Sequence, residues 1–162
     1  MSFKVSSAIE YLISHYNLNL DGQVILTEIG TDEYAYLPEI CLKADAKKVI
    51  ALVKDSIFGN ASSIINNYKE SNFYKDYKDQ LEIISDLIQC SQSLQEVTLI
   101  TNSGHLRPID KNLVSLVNKS RHIALMYDIW EFRDSDINLE DCKKFQIPIV
   151  GTYEHHSDLK IF

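Results

Sequence analysis

The stretch Val97–Asp110, VTLITNSGHLRPID, changes abruptly from an apolar run into polar and turn-forming residues. Its first four residues, Val97–Ile100, are rich in β-branched side chains, which is typical of a buried strand in a parallel sheet. The residues Thr101–Arg107 then form a polar loop, and Asp110 is placed to cap a helix that begins at Lys111. Loops that follow the strands of an open α/β sheet are where ligands bind. This stretch therefore predicts a strand, a ligand-binding loop and a helix, in that order.

Strand-like and helix-like segments alternate along the rest of the chain in the same way. The predicted strands are Val24–Leu26, Lys48–Val53, Leu81–Ile84, Val97–Ile100, His122–Met126 and Ile147–Gly151. Such alternation is typical of a parallel sheet that is covered by helices on both faces. We therefore predict one α/β domain over residues 1–162, with a doubly wound, mostly parallel, Rossmann- or flavodoxin-like sheet in three layers.

Three connecting segments carry more specific predictions. A helix should run from Thr31 or Asp32 to about Ala44, with Pro38 either kinking it or marking its first turn. The polar segment 69–80 is predicted to be a surface excursion with aromatic anchors. Residues 85–88 are predicted to form a short helix before the central strand.

Composition excludes several classes of protein. The chain has 162 residues, of which 45% are hydrophobic and 24% charged, and its net charge is -7. An acidic balance argues against nucleic-acid binding, and no apolar run approaches the length of a membrane helix. The widely spaced Cys41, Cys90 and Cys142 are predicted to be free thiols in a reducing compartment. We therefore expect a cytoplasmic protein that binds neither nucleic acid nor membrane.

The loops that follow the predicted strands should meet at one edge of the sheet, because parallel strands all end there. These loops are Glu28–Asp32, Asp55–Gly59, Thr101–Asp110, Asp128–Arg133 and Gly151–His156. They combine glycines with charged and polar side chains, which is the composition expected of a binding edge.

The central loop supplies the predicted substrate-binding residues. These are Asn102, Ser103, Gly104, His105 and Arg107. Gly104 lets a ligand approach the main chain closely, and Arg107 can bind a carboxylate or phosphate through two parallel hydrogen bonds. The alternative for Arg107 is an ion pair with Asp110 or with an acid of a neighbouring loop.

A second group of residues resembles part of a nucleotide-binding turn. Gly30, Thr31 and Asp32 follow the first strand, and Asp55 follows the second strand at the position of a ribose acceptor. The later glycines of the GxGxxG pattern are absent. The alternative is that Thr31 or Asp32 only caps the next helix.

No metal site or nucleophile is predicted. Glu154, His155 and His156 could join His105 around an ion, but adjacent histidines point apart and an exposed segment is the favoured interpretation. No serine lies in a GxSxG motif.

The region from Val97 to Glu154 resembles the N-terminal, substrate-side domain of the D-2-hydroxyacid dehydrogenase superfamily. The shared order is a strand, the polar loop Thr101–Gly104, a helix, the strand Ile123–Met126, the segment DINLEDC at Asp136–Cys142, and QIPIV at Gln146–Val150. The chain departs from that family where Tyr127–Arg133 replaces a glycine-rich segment. It also departs because the family's catalytic Arg, Glu and His, and its nucleotide-binding domain, would come later than Phe162.

The first half resembles instead the opening of a Rossmann-type methyltransferase, through Glu28–Thr31 and Asp55. That likeness lacks the glycine-rich continuation of the motif.

The first resemblance implies a domain that binds a small anionic metabolite beside an NAD-dependent active site. NAD would be the cofactor if a downstream nucleotide-binding domain exists, and this domain alone should not be active. A methyltransferase-like domain that binds S-adenosylmethionine is one alternative, and a non-catalytic binding or assembly module is another. The sequence leaves the oligomeric state open, with a homodimer among the options.

Overall fold

Six parallel strands form one sheet in the part of the chain that the computed structural model describes, residues 3–88, 90–117, 122–153 and 155. The strands are β1 (Val24–Glu28), β2 (Lys48–Leu52), β3 (Leu81–Ile84), β4 (Leu99–Thr101), β5 (His122–Asp128) and β6 (Ile149–Thr152). Their spatial order is β3-β2-β1-β4-β5-β6, and every neighbouring pair is parallel. This is the strand order of the Rossmann fold and not of the flavodoxin-like fold. The predicted doubly wound α/β fold is confirmed in its Rossmann-like form.

Helices connect the strands. The α-helices are α1 (Phe3–His15), α2 (Leu37–Lys43), α3 (Ala61–Glu70), α4 (Asn72–Tyr77), α5 (Ser91–Leu94), α6 (Lys111–Leu116) and α7 (Leu139–Lys144). Short 3-10 helices cover Asp32–Tyr36, Gly104–Leu106 and Ile129–Glu131. The predicted cap of α6 is confirmed, because Asp110 Oδ1 accepts hydrogen bonds from the backbone N–H groups of Asn112 and Leu113.

Two hydrophobic cores lie on opposite faces of the sheet. Successive residues of a strand point to opposite faces, and β1 is buried along its whole length. Val24 and Leu26 belong to the core that also contains Val114 of α6. Ile25 belongs to the other core, together with Tyr68 of α3. The predicted three-layer arrangement is therefore confirmed.

The connection between β1 and β2 differs from the single helix that was predicted. It contains the 3-10 helix Asp32–Tyr36 and then the α-helix α2. Pro38 lies in the first turn of α2, where its missing N–H group has no partner to lose. The continuous helix was wrong, and the first-turn alternative for Pro38 is confirmed.

The polar segment 69–80 contains a helix that its composition does not indicate. Ser71 caps α4 by accepting a hydrogen bond from the N–H group of Tyr74, 3.1 Å away. Phe73 is buried, and its ring centroid lies 4.8 Å from that of Tyr77 and 6.3 Å from that of Tyr68. The predicted aromatic anchors are therefore present on an exposed segment, and the addition to the prediction is that they are carried by a helix.

The short helix predicted at residues 85–88 was also wrong. Those residues form a bend and a turn, and the short helix in this connection is α5. No helix within the described ranges combines the length and the apolar character that crossing a bilayer requires.

Candidate functional site

The carboxyl edge of the sheet contains a topological switch point between β1 and β4. From β1, the chain continues to β2 on one side, and it later returns to place β4 on the other side. Connections therefore leave this edge in opposite directions, and the gap between the two strand ends is where ligands bind in open α/β sheets. The residues beyond Glu28 and Thr101 form the walls of this gap.

Glu28, the last residue of β1, bridges the gap with its side chain. It is 3% exposed, and its Oε1 accepts a hydrogen bond from the N–H group of Gly104 at 3.2 Å. Its Oε2 accepts a second hydrogen bond from the N–H group of His105 at 2.5 Å. Hydrogen bonds to an ionised group are the stronger ones in proteins. The Glu28 carboxylate thus joins the end of β1 to the 3-10 helix that follows β4.

The imidazole of His105 lies between the ends of β1 and β2. Its Nδ1 is 3.7 Å from Glu28 Oε2 and 3.4 Å from the carbonyl oxygen of Leu52. The N–H group of Lys54 also points at Nδ1, at 3.3 Å. The side chain is 14% exposed, so His105 is a largely buried part of the wall of the gap.

Arg107 is held by three other residues. Its Nε donates to Asn102 Oδ1 at 2.8 Å, and its Nη2 donates to the Asn102 carbonyl oxygen at 2.9 Å. Its Nη1 lies 3.3 Å from Asp136 Oδ2, and its guanidinium carbon lies 5.4 Å from the centre of the Tyr127 ring. The predicted alternative, an ion pair with a loop acid, is therefore present. Its partner is Asp136 and not Asp110, whose carboxylate caps α6.

Asn102 and Ser103, which the sequence placed in the ligand loop, are completely buried. The Asn102 amide nitrogen donates to the Tyr127 hydroxyl at 2.9 Å. The Ser103 hydroxyl lies 3.1 Å from that of Thr101, which in turn donates to the hydroxyl of Thr27 at 2.9 Å. Both side chains are therefore bonded to protein groups and brace the loop from behind.

A cavity of about 420 Å³ lies over the gap. It brings together five of the residues predicted from the sequence: Gly30, Thr31, Gly104, His105 and Arg107. Four further residues line it that were not among the predicted site residues: Glu28, and Tyr34, Phe58 and Met126 with their large apolar surfaces. The acid at the end of β1 was visible in the sequence, but its hydrogen-bond partners in the loop after β4 were not. The volume is within the range of roughly 300–1,000 Å³ that is usual for small-molecule sites.

The predicted cofactor residues are placed less favourably for a ligand. Tyr34 packs over Gly30, and a Cβ atom at position 30 would lie 2.8 Å from the Cβ atom of Tyr34. The glycine is therefore explained by packing within the protein. Asp32 begins the 3-10 helix with a positive φ of 51° and lines a neighbouring cavity of about 380 Å³ with Gly30 and Thr31. Asp55 lines neither cavity, and its Oδ1 accepts a hydrogen bond at 2.7 Å from the N–H group of Ala61, the first residue of α3.

The suggested metal ligands are only partly within the described residues. Of the suggested ligands, Glu154 and His156 lie outside the described residues. Among the residues that the structure does describe, no group of three or more His, Cys, Asp or Glu side chains is arranged to hold an ion.

No protein-family model matches the chain, and no curated protein matches it. Solved structures match at low identity, and the chain spans about half of their length or less. A dipicolinate synthase polypeptide from Bacillus halodurans is 12% identical over 91% of this chain and 45% of that protein, with a TM-score of 0.47. Galactitol-1-phosphate dehydrogenase from Escherichia coli is 13% identical over 91% of this chain and 41% of that protein, with a TM-score of 0.47.

A third match is shikimate 5-dehydrogenase from Listeria monocytogenes in complex with shikimate and NAD. It is 11% identical over 90% of this chain and 52% of that protein, with a TM-score of 0.45. None of the three is named a D-2-hydroxyacid dehydrogenase. Likeness at this level gives no information on ligand or reaction.

Proposed function

We propose that this domain binds a small metabolite carrying a carboxylate or phosphate group, in the cavity at the ends of β1 and β4. The observation that carries the proposal is the position of Arg107, whose guanidinium is fixed in the cavity wall by Asn102 and Asp136. A guanidinium has five N–H groups. Nε and one N–H group of Nη2 donate hydrogen bonds to Asn102, and Nη1 pairs with Asp136 by charge without a hydrogen bond, so three of the five have no hydrogen-bond acceptor among the described residues.

A fixed guanidinium favours binding because its side chain loses little further freedom when the ligand arrives. The rest of the cavity suits a ligand with an apolar body. Tyr34, Phe58 and Met126 line it and are 53%, 75% and 43% exposed. The Glu28 carboxylate lies in the same wall, and its charge favours a ligand with one anionic group over a polyanion.

This proposal includes the substrate-side role that the resemblance to D-2-hydroxyacid dehydrogenases implies. In that role the domain orients an acid, while a cofactor held by another domain takes up or supplies the hydride. No catalytic residue is assigned to this chain, and we expect no hydride transfer from it alone. We also keep the cytoplasm as the expected location.

Thermal denaturation with a panel of 2-hydroxy acids, 2-oxo acids and inorganic phosphate, at constant ionic strength, tests the proposal. A ligand at roughly a hundredfold excess over its Kd should stabilise the fold by about 2.7 kcal/mol. Arg107→Lys should lose this stabilisation, because an ammonium group lacks the planar fork of a guanidinium. Each variant is compared with and without ligand, so that its own change in stability cancels.

Arg133→Lys is the matched control, since Arg133 is exposed and does not line the cavity. It should respond to ligand as the wild type does. A panel in which no acid shifts the wild-type melting temperature would overturn the proposal, as would an equal shift in Arg107→Lys. Stabilisation by S-adenosylmethionine instead would favour the methyltransferase-like alternative.

A further inference from the structure

We infer that the Glu28 carboxylate occupies the gap at the switch point, where an anionic ligand would otherwise bind. This Rossmann-like domain therefore binds no dinucleotide there. The fold commonly binds the diphosphate of a dinucleotide at this point, beside the end of the first strand. The residues of this chain do not fit that group.

The first reason is that the gap is already filled by a carboxylate. Glu28 is 3% exposed and lies between the two strand ends, with one oxygen on the N–H group of Gly104 and the other on that of His105. A diphosphate in this gap would have to displace a buried side chain from both donors. If the side chain stayed in place, the diphosphate would instead lie beside a like charge in a weakly solvated site.

The second reason is the loop after β1. A dinucleotide needs close approach to the backbone there, but the space over Gly30 is taken by Tyr34, whose Cβ atom would be 2.8 Å from a Cβ at that position. An α-helix N-terminus normally supplies N–H groups to the phosphates. Here the loop leads into a 3-10 helix of five residues, with Asp32 and Glu33 in its first turn. These carboxylates oppose the charge of a phosphate.

The third reason is the end of β2, where an acidic side chain usually accepts hydrogen bonds from the ribose. Asp55 is the acid available in this chain, and its Oδ1 is engaged by the N–H group of Ala61 at the start of α3. The gap and the space over Gly30 are therefore occupied by the protein itself, and Asp55, which does not line the cavity, is directed at the start of α3.

The inference concerns the same site as the proposed function but is independent of it, since a small acid held by Arg107 does not need the gap beneath it. The test is an NMR titration of the ¹⁵N-labelled chain with millimolar NAD⁺, NADH, NADP⁺ and NADPH. We expect no saturable shift of the Gly104 and His105 amide signals. Failure of the small-acid panel would leave this expectation unchanged.

A positive measurement accompanies the titration. In Glu28→Gln, the side chain keeps its size but exchanges one acceptor oxygen for a donor, so one of the two amides loses its partner. Hydrogen exchange at Gly104 or His105 should then become about tenfold faster or more. Glu33→Gln changes a nearby exposed acid in the same way and should leave both exchange rates unchanged.

Saturable dinucleotide shifts at Gly104 and His105 would overturn the inference. Unaltered exchange at both amides in Glu28→Gln would overturn it as well, because the carboxylate would then not occupy the gap.

Discussion

Arg107 Nη1 lies 3.3 Å from Asp136 Oδ2, and this ion pair joins the loop after β4 to the segment that precedes α7. The Asp136 side chain is 14% exposed, and its Oδ2 atom has no hydrogen-bond partner in the described parts of the chain. The backbone reinforces the same connection, since the Ile109 N–H group donates to the Asp136 carbonyl oxygen at 2.9 Å. Arg107 therefore compensates a largely buried charge as well as facing the cavity.

Removal of Arg107 should destabilise the fold even without ligand. In Arg107→Ala, the Asp136 carboxylate stays buried without its cation, which should lower the free energy of unfolding by about 1–3 kcal/mol. Urea denaturation measures the change. Arg133→Ala, which removes an exposed arginine, should stay within about 0.5 kcal/mol of the wild type. Equal stability of the two variants would show that the pair with Asp136 contributes nothing.

The ion pair between β2 and β3 should make stability depend on pH in the acid range. Lys48 Nζ lies 2.6 Å from Glu82 Oε2. Partial burial raises the pKa of Glu82, but hydrogen bonds from Lys48 and Ser93 outweigh it, and the pKa lies below its ordinary value of 4.5. A folded-state pKa below the unfolded one means that this contribution is present above about pH 4.5 and is lost as the pH falls through the folded value.

Glu82→Gln should therefore be less stable than the wild type at pH 7, and the difference should narrow below pH 4.5. Urea midpoints measured across the acid range provide the data. Glu70→Gln removes an exposed acid at the end of α3 and should show no such narrowing. A difference for Glu82→Gln that stays constant down to the lowest pH would contradict the assignment.

The three cysteines, all free as predicted, should differ sharply in reactivity. Burial raises the pKa of Cys41 to about 12 and that of Cys142 to about 11. Cys90 is only half-buried, and burial also raises the pKa of its thiol. Because the thiolate is the reactive form, a disulfide reagent at pH 8 should modify Cys90 first and the other two only on unfolding. Cys90→Ser should abolish the fast phase, and a fast phase that persists in this variant would contradict the prediction.

The strands were predictable because their amino-acid composition indicates that they are buried. Residues 24–26, 49–53 and 97–100 are mostly apolar and rich in β-branched side chains, as burial on both faces requires. The site was predictable only in outline. Polar residues at a strand end read as ligand groups, yet Asn102 and Ser103 are buried because Tyr127 and Thr101 lie beside them. A single sequence does not show which residues will pack beside a polar side chain, whether those partners are near or far along the chain.

The role of Glu28 was also hidden from the sequence, because its hydrogen-bond partners are far away in the chain. Its position after β1 was visible, but its bonds reach residues 76 and 77 positions later in the chain. A pairing at that distance depends on the order of strands in the sheet, and the sequence left both Rossmann-like and flavodoxin-like orders open. The role of Glu28 could therefore be assigned only once β1 and β4 were known to be neighbours.

The end of α7 offers a route to greater stability. Gln146 has a φ of 58°, a left-handed conformation that glycine adopts more readily than any other residue. Its N–H group donates to the Lys143 carbonyl oxygen at 3.1 Å, and the N–H group of Ile147 donates to that of Cys142 at 2.9 Å. This pair of bonds defines a Schellman motif, in which the left-handed residue is usually glycine.

Gln146→Gly should therefore raise the free energy of unfolding. Relief of the Cβ strain is worth about 1–2 kcal/mol, and the greater freedom of glycine in the unfolded chain costs about 0.5–1 kcal/mol, so a net gain of up to about 1.5 kcal/mol is expected. Lys144→Gly, two residues earlier and within α7, should instead lose up to about 1 kcal/mol. Urea denaturation of both variants gives the comparison. If both changes destabilise the fold to the same extent, the strain relieved at Gln146 is smaller than the entropic cost of glycine in the unfolded chain.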